Sequence, residues 1–237
     1  MQGIQPRTAY IMLVTTQILW ASALIVARCF NDLIPPVAFS FWRWVVAAII
    51  MAPISMPLLK SSWPSLQHKM PKICLLGFFL AVGSTGLVWA VQYTTATNVS
   101  LVAASQPIVT ALVAWLMLKE RLGKFQLLGV LSATVGIVLM VARMQLDVLI
   151  QLSFNPGDAI MLASVLFYAL YTINLHRWLT GVHPLLMLFL ASVTGSLLLI
   201  PAAIAEAYLV GTMHISPTSL GAILFMAVIP TVIATTM

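Results

Sequence analysis

From Pro184 to Tyr208 the chain carries one charged side chain, Glu206, and every other long stretch of the sequence is built in the same way. About 20 consecutive apolar residues suffice to carry an α-helix across the hydrocarbon core of a bilayer. Eight segments meet that requirement: Ala9–Arg28, Pro36–Leu59, Lys72–Thr94, Thr97–Leu118, Phe125–Ala142, Gly157–Arg177, Pro184–Tyr208 and Pro217–Met237. A water-soluble surface needs charged residues at roughly a quarter of positions. Here only 7% are charged, so most of the surface must face lipid. Backbone groups in lipid must bond within their own segment, which favours helices for runs this long. Spanning β-strands would alternate in polarity over about 10 residues, and no segment does. The expected fold is an all-α integral membrane protein of about eight transmembrane helices.

The connectors carry the helix-breaking residues. Asn31-Asp32 and Pro35-Pro36 separate the first two spans, and Lys60 to Pro71 reads as the longest early loop. Lys119 to Lys124, Asn155 to Asp158, and His183-Pro184 punctuate the rest. The first span is of full membrane length without a small-residue cleavage site closing it, so it reads as a helix of the mature protein and not as a signal peptide.

Basic residues set the orientation. With the N-terminus in the cytoplasm, Arg7, Lys60, Lys69, Lys72, Lys119, Arg121, Lys124 and Arg177 all lie on the cytoplasmic side. Arg28 and Arg143 lie outside, and Arg43 lies within a span. This is the positive-inside pattern of an inner cell membrane protein. The same distribution leaves no basic patch for a nucleic acid, so none is expected as a partner. Cys29 and Cys74 are isolated and read as small apolar fillers, with no metal or redox motif. No cofactor is expected, and no catalytic signature is present. A membrane-embedded enzyme would need a cluster of acids, histidines or metal ligands. The four histidines instead fall in loops or at helix ends.

The chain also repeats itself. Trp20 matches Tyr168, Pro36 matches Pro184, Phe41 matches Phe189 and Pro53 matches Pro201, each pair separated by the same 148 positions. Five spans lie between the start of one copy and the start of the next. An odd number places the second copy upside down, the plan of many secondary carriers. The expected units are residues 9–142, with five helices, and 157–237, with three.

On these residues the chain resembles the EamA family of the drug/metabolite transporter superfamily. Ile18-Leu19-Trp20-Ala21-Ser22 is similar to the family's first-helix signature, and Phe41-Trp42-Arg43 to its second-helix aromatic–arginine segment. Asn98 to Glu120 resembles the fourth helix, with its internal proline and terminal acid. Gln126, Gly129 and Gly136 match the fifth, and the segment from Gly157 onward opens the second copy. The resemblance implies ten helices in two inverted five-helix repeats with both termini cytoplasmic. It also implies movement of small organic solutes, often amino acids or related metabolites, frequently outward. Two of the ten helices are then expected to be lacking after Met237, and the competing expectation is a shortened, non-transporting product.

Some residues stand out as candidates for solute binding. Arg43 lies about 10 Å into its helix. A charge at mid-membrane costs about 2.5–3.5 kcal/mol on insertion scales. It is either a handle for an anionic or carboxylate-bearing solute or a structural arginine reaching toward the interface. Gln106-Pro107 interrupts the fourth span, where Asn98, Ser100, Ser105, Gln106 and Thr110 form a polar stripe that is either pore-lining or a packing bend. Trp20, Tyr168 and Tyr171, with Asn174 one turn further, are candidates for a cavity wall. Trp89 and Tyr93 fit an interfacial belt better. Neither Glu120 nor Glu206 sits at mid-depth, so proton coupling is not supported. Gly129 with Ala133, and Ser132 with Gly136, form small-residue faces suited to helix packing within the chain or in a homodimer.

Overall fold

The computed structural model describes residues 6–119, 123–142 and 155–236. Glu120, Arg121, Arg143 and Met237 lie outside the described residues, as do the side chains of Lys124, Gln126 and Ala133. The described residues are almost wholly helical. The helices are α1 (Pro6–Cys29), α2 (Pro36–Leu66), α3 (Met70–Tyr93), α4 (Ala96–Ala104), α5 (Gln106–Leu118) and α6 (Lys124–Ala142). After them come α7 (Pro156–Trp178), α8 (Pro184–Leu209), α9 (Pro217–Met226), a π-helical segment (Ala227–Ile233) and α10 (Ala234–Thr236). Proline opens α2, α7, α8 and α9, at the position where its missing N–H would be unsatisfied in any case.

Among the described residues, six stretches are long and apolar enough to cross a membrane. One of them, Pro36–Tyr93, joins α2 and α3 through the short 3₁₀ turn Gln67–Lys69. It must fold back on itself, because Trp44 Nε1 donates to Ser84 Oγ across 3.0 Å. The helix α6 is not among the six. Large apolar side chains such as Ile11, Leu116, Leu128 and Leu220 face outward. That arrangement suits a hydrocarbon surrounding and would be a liability in water.

The expected loop from Lys60 to Pro71 is corrected: α2 runs on to Leu66. Pro53, Pro57 and Pro64 all lie inside it. Each proline removes one backbone donor. Along the same stretch Ser61 Oγ donates to the Leu58 carbonyl, Ser65 Oγ to that of Ser62 and Gln67 Nε2 to that of Pro64. The last expected span is present as Pro217–Thr236, with a π segment in its second half. Pro230 sits inside it, and Thr231 Oγ1 donates to the Met226 carbonyl at 2.8 Å. The break in the fourth span is present: α4 ends at Ala104 and α5 restarts at Gln106.

Lipid offers no hydrophobic drive between helices, so close approach must come from small residues. The core forms where α3 packs along α7 and α8 and where α2 packs along α8. A Cβ on Gly83 would stand 2.9 Å from Tyr168 Cδ2, and one on Gly86 2.9 Å from Ser164 Cβ. The Ser164 hydroxyl donates to the Gly83 carbonyl at the same crossing. The helix α6 packs on α4 and α5. Nothing lies within 4 Å of a Cβ on its Gly129 or Gly136, and Ser132 is exposed.

The two ends of the bundle differ. At one end Arg28 donates to the Val91 carbonyl, placing a cation at the negative pole of α3. Asn155 and Asp158 form a capping box on α7, and Thr94 Oγ1 donates to Asp158 Oδ1 at 3.1 Å. The Glu206 carboxylate, from α8, accepts the N–H groups of Val37 (3.0 Å) and Ala38 (2.7 Å) at the start of α2. Pro35 and Pro36 have no capping side chain of their own, so an acid from another helix supplies the anion that the α2 dipole favours. Glu206→Ala is expected to lower stability by about 1–2 kcal/mol, read as a lower midpoint in thermal unfolding of the purified chain. An unchanged midpoint would mean that water caps α2 equally well. At the other end Lys72 Nζ stands 6.0 Å from the Trp178 ring, close to Lys69 in sequence and to Arg177.

Candidate solute site

Ser40, Arg43 and Trp44 follow one another on the buried face of α2, a spacing of three and four residues that stacks side chains one turn apart. Arg43 is 7% exposed. Its guanidinium lies over the Trp44 ring, 4.8 Å from the centroid. Trp44 is held in turn by Ser84 on α3. Tyr168 on α7 lies within electrostatic reach of Arg43, and its ring stands 6.3 Å from that of Tyr171 in an edge-to-face arrangement. Trp44, Tyr171 and Tyr168 belong to one apolar cluster. Arg43 Nε and Nη2 are buried and have no hydrogen-bond partner. Ser40 Oγ and Thr85 Oγ1 are likewise buried without partners.

The structure therefore brings together Arg43 on α2 and the Tyr168–Tyr171 pair on α7, two distant points of the sequence. Gln106 approaches the same helix from the other side: its Nε2 donates to Thr110 Oγ1 at 3.2 Å and to the Val165 carbonyl at 3.4 Å. Val165 is one turn before Tyr168 and belongs to the neighbouring cluster. Asn174 is buried, with Nδ2 donating to the Leu170 carbonyl and Oδ1 unpartnered. Asn98 lies elsewhere, half-buried in the first turn of α4, where its N–H donates to Thr95 Oγ1. Trp20 lies on the outer side of the bundle, 43% exposed, and is tied by Nε1 to the Pro230 carbonyl at 3.2 Å. Trp89 and Tyr93 are exposed near the end of α3.

Trp44, Ser84 and Ser40 are the members that sequence reasoning missed. Ser40 had a legible signal, one turn before a buried charge. Ser84 had none, because the facing of α3 is set by its glycines. A separate cavity of about 310 Å³ opens between α2 and α8, lined by Ala38, Phe41, Trp42, Ile200, Ala203 and Ile204. Its walls are apolar, so it offers nothing to a charged solute.

A bundle of lipid-facing helices around a buried arginine, unpartnered among the described residues, defines a multi-pass membrane protein. The chain belongs to the EamA-like transporter family, whose model matches residues 7–142. It is 26% identical over 219 residues to the uncharacterized transporter YyaM of Bacillus subtilis (strain 168), covering 92% of this chain and 72% of that protein. It is 26% identical over 204 residues to the uncharacterized transporter YetK of the same organism, covering 84% and 61%. An uncharacterized transporter of Archaeoglobus fulgidus is 25% identical over 228 residues, covering 95% and 76%. The chain thus spans between three fifths and three quarters of the length of these relatives.

Proposed function

We propose that the chain carries small organic solutes, amino acids or related metabolites, outward across a cell membrane by alternating access. The observation that carries this reading is Arg43. A buried guanidinium with two unpartnered nitrogens is costly, and such a cost is expected where a ligand is meant to supply the missing partners. The aromatic residues beside it form a wall for the solute body.

The mechanism rests on two inverted copies, residues 9–142 and 157–237. Several placements support the duplication. Pro36 and Pro184 each open a helix, and Pro53 and Pro201 each lie inside the same two helices, α2 and α8. These helices pack against each other, as equivalent elements beside a pseudo-two-fold axis would. Trp20 on α1 meets Pro230, while Tyr168 on α7 meets Gly83. Gly83 and Thr231, the neighbour of Pro230, are again 148 positions apart. Rocking one copy against the other about α2 and α8 would expose the Arg43 site to each side in turn. The basic residues Lys60, Lys69, Lys72 and Arg177 at one end of the bundle support a cytoplasmic N-terminus. The open glycine face of α6 suits a homodimer contact.

The test is solute flux in proteoliposomes. Arg43→Ala is expected to reduce flux at least about tenfold, the equivalent of one charge-assisted hydrogen bond lost at the site. Gln106→Ala is expected to reduce it several-fold. Unchanged flux in both variants would remove these residues from the transport path.

A further inference from the structure

Accepting that Arg43 holds the carried solute, we infer a narrower class than the amino acids and related metabolites proposed above: a small monocarboxylate without an ammonium group. The argument begins with which guanidinium atoms are free. Nε–H and Nη2–H lie on the same edge of the guanidinium plane, parallel and spaced to match the two oxygens of one carboxylate. Those are the two Arg43 nitrogens left buried without a partner. The cation–π contact with Trp44 engages the face of the group, and the edge stays buried without a hydrogen-bond partner among the described residues.

The second step concerns what is missing around it. An amino acid would bring an ammonium that needs an anion or several acceptors once buried. The described acids are Asp32, Asp158 and Glu206. Asp158 is committed to Thr94 and the α7 cap, Glu206 to the start of α2, and Asp32 is exposed in the loop after α1. None of them faces Arg43. The nearby side chains are Trp44 and Tyr168, with Tyr171 beside Tyr168. Such surroundings balance one negative charge against one positive charge. Among the described residues they offer no second cation for a phosphate dianion and no counter-ion for a zwitterion. The aromatic wall favours a flat apolar body on the carboxylate.

Binding to the purified 237-residue chain tests this, with benzoate, benzamide and phenylalanine as probes titrated by calorimetry. Benzoate is expected to bind at least about tenfold more tightly than either of the others. Arg43→Gln should erase that preference, and Arg43→Lys should keep only part of it, since a point charge cannot make the paired contact. The comparison among the three probes on the unaltered chain stands even if a variant fails to fold. Equal binding of benzamide or phenylalanine, no binding of benzoate, or full benzoate affinity in a folded Arg43→Gln chain would each overturn the inference. Flux separates this from the carrier reading. Transport of other solutes without benzoate binding would sink the carboxylate site alone. Benzoate binding with no flux of any solute would keep the anion site and sink the carrier.

Discussion

Gly77→Val is expected to prevent the chain from folding into a monodisperse form, with a loss of about 3 kcal/mol or more if any folded protein is recovered. A Cβ at this position would stand 2.0 Å from Thr194 Oγ1 and 2.8 Å from the backbone nitrogen of Gly195. Rotating the threonine away does not relieve the second contact, because backbone cannot step aside. The threonine is itself tied down, donating to the Leu190 carbonyl at 2.8 Å. From the other side, a Cβ on Gly195 would come within 3.1 Å of the Gly77 carbonyl oxygen. The helices α3 and α8 cross with glycine against glycine, and the crossing can widen only by unpacking both from their neighbours. Gly221→Ala is the matched control. Nothing lies within 4 Å of its Cβ, so the helix-propensity gain of up to about 1 kcal/mol should appear unopposed. Thermal unfolding in detergent, preceded by size-exclusion chromatography, reads both. A wild-type midpoint for Gly77→Val would mean that α3 and α8 do not cross at this pair.

Arg43→Met is expected to act in the opposite sense on stability while removing transport. Methionine keeps most of the length and apolar bulk that packs against Trp44 and lacks the charge. Arg43 leaves two buried nitrogens, Nε and Nη2, unpartnered, and each unmet polar group of this kind costs about 1–3 kcal/mol. Against that gain stands the lost cation–π contact, about 2 kcal/mol when desolvated. The balance favours the methionine by about 2 kcal/mol, in line with other replacements of buried ionic groups by apolar residues. A higher unfolding midpoint with flux lost would mark Arg43 as a residue kept for binding at the expense of stability. A lower midpoint would instead show that Arg43 is a structural arginine whose partners form in the folded chain.

The prediction for Arg43 was legible in outline from the sequence. A single charge inside an apolar run stands out because hydrocarbon makes it expensive, and that cost needs no knowledge of neighbours. The same holds for the spans themselves and for the break at Gln106-Pro107. The stretch after Lys60 was misread because proline and serine resemble loop punctuation. In α2 the Ser61 and Ser65 hydroxyls instead bond carbonyls within the helix, and the helix continues. Glu206 read as an acid near a helix end. Its place on the first N–H groups of α2 depends on a helix pair formed by residues nearly 170 positions apart.

Sequence alone determined that this chain is helical, lies in a membrane and carries one charge, Arg43, inside its second span, because hydropathy and hydrogen-bond demand act locally along the chain. Only the tertiary structure decided which faces meet. Gly77, Gly83 and Gly86 let α3 approach α7 and α8 closely, and that approach places Ser84 on Trp44 and Tyr168 near Arg43. Between helices in lipid, contact geometry and not apolarity selects the partner, and contact geometry is not a property of any one segment.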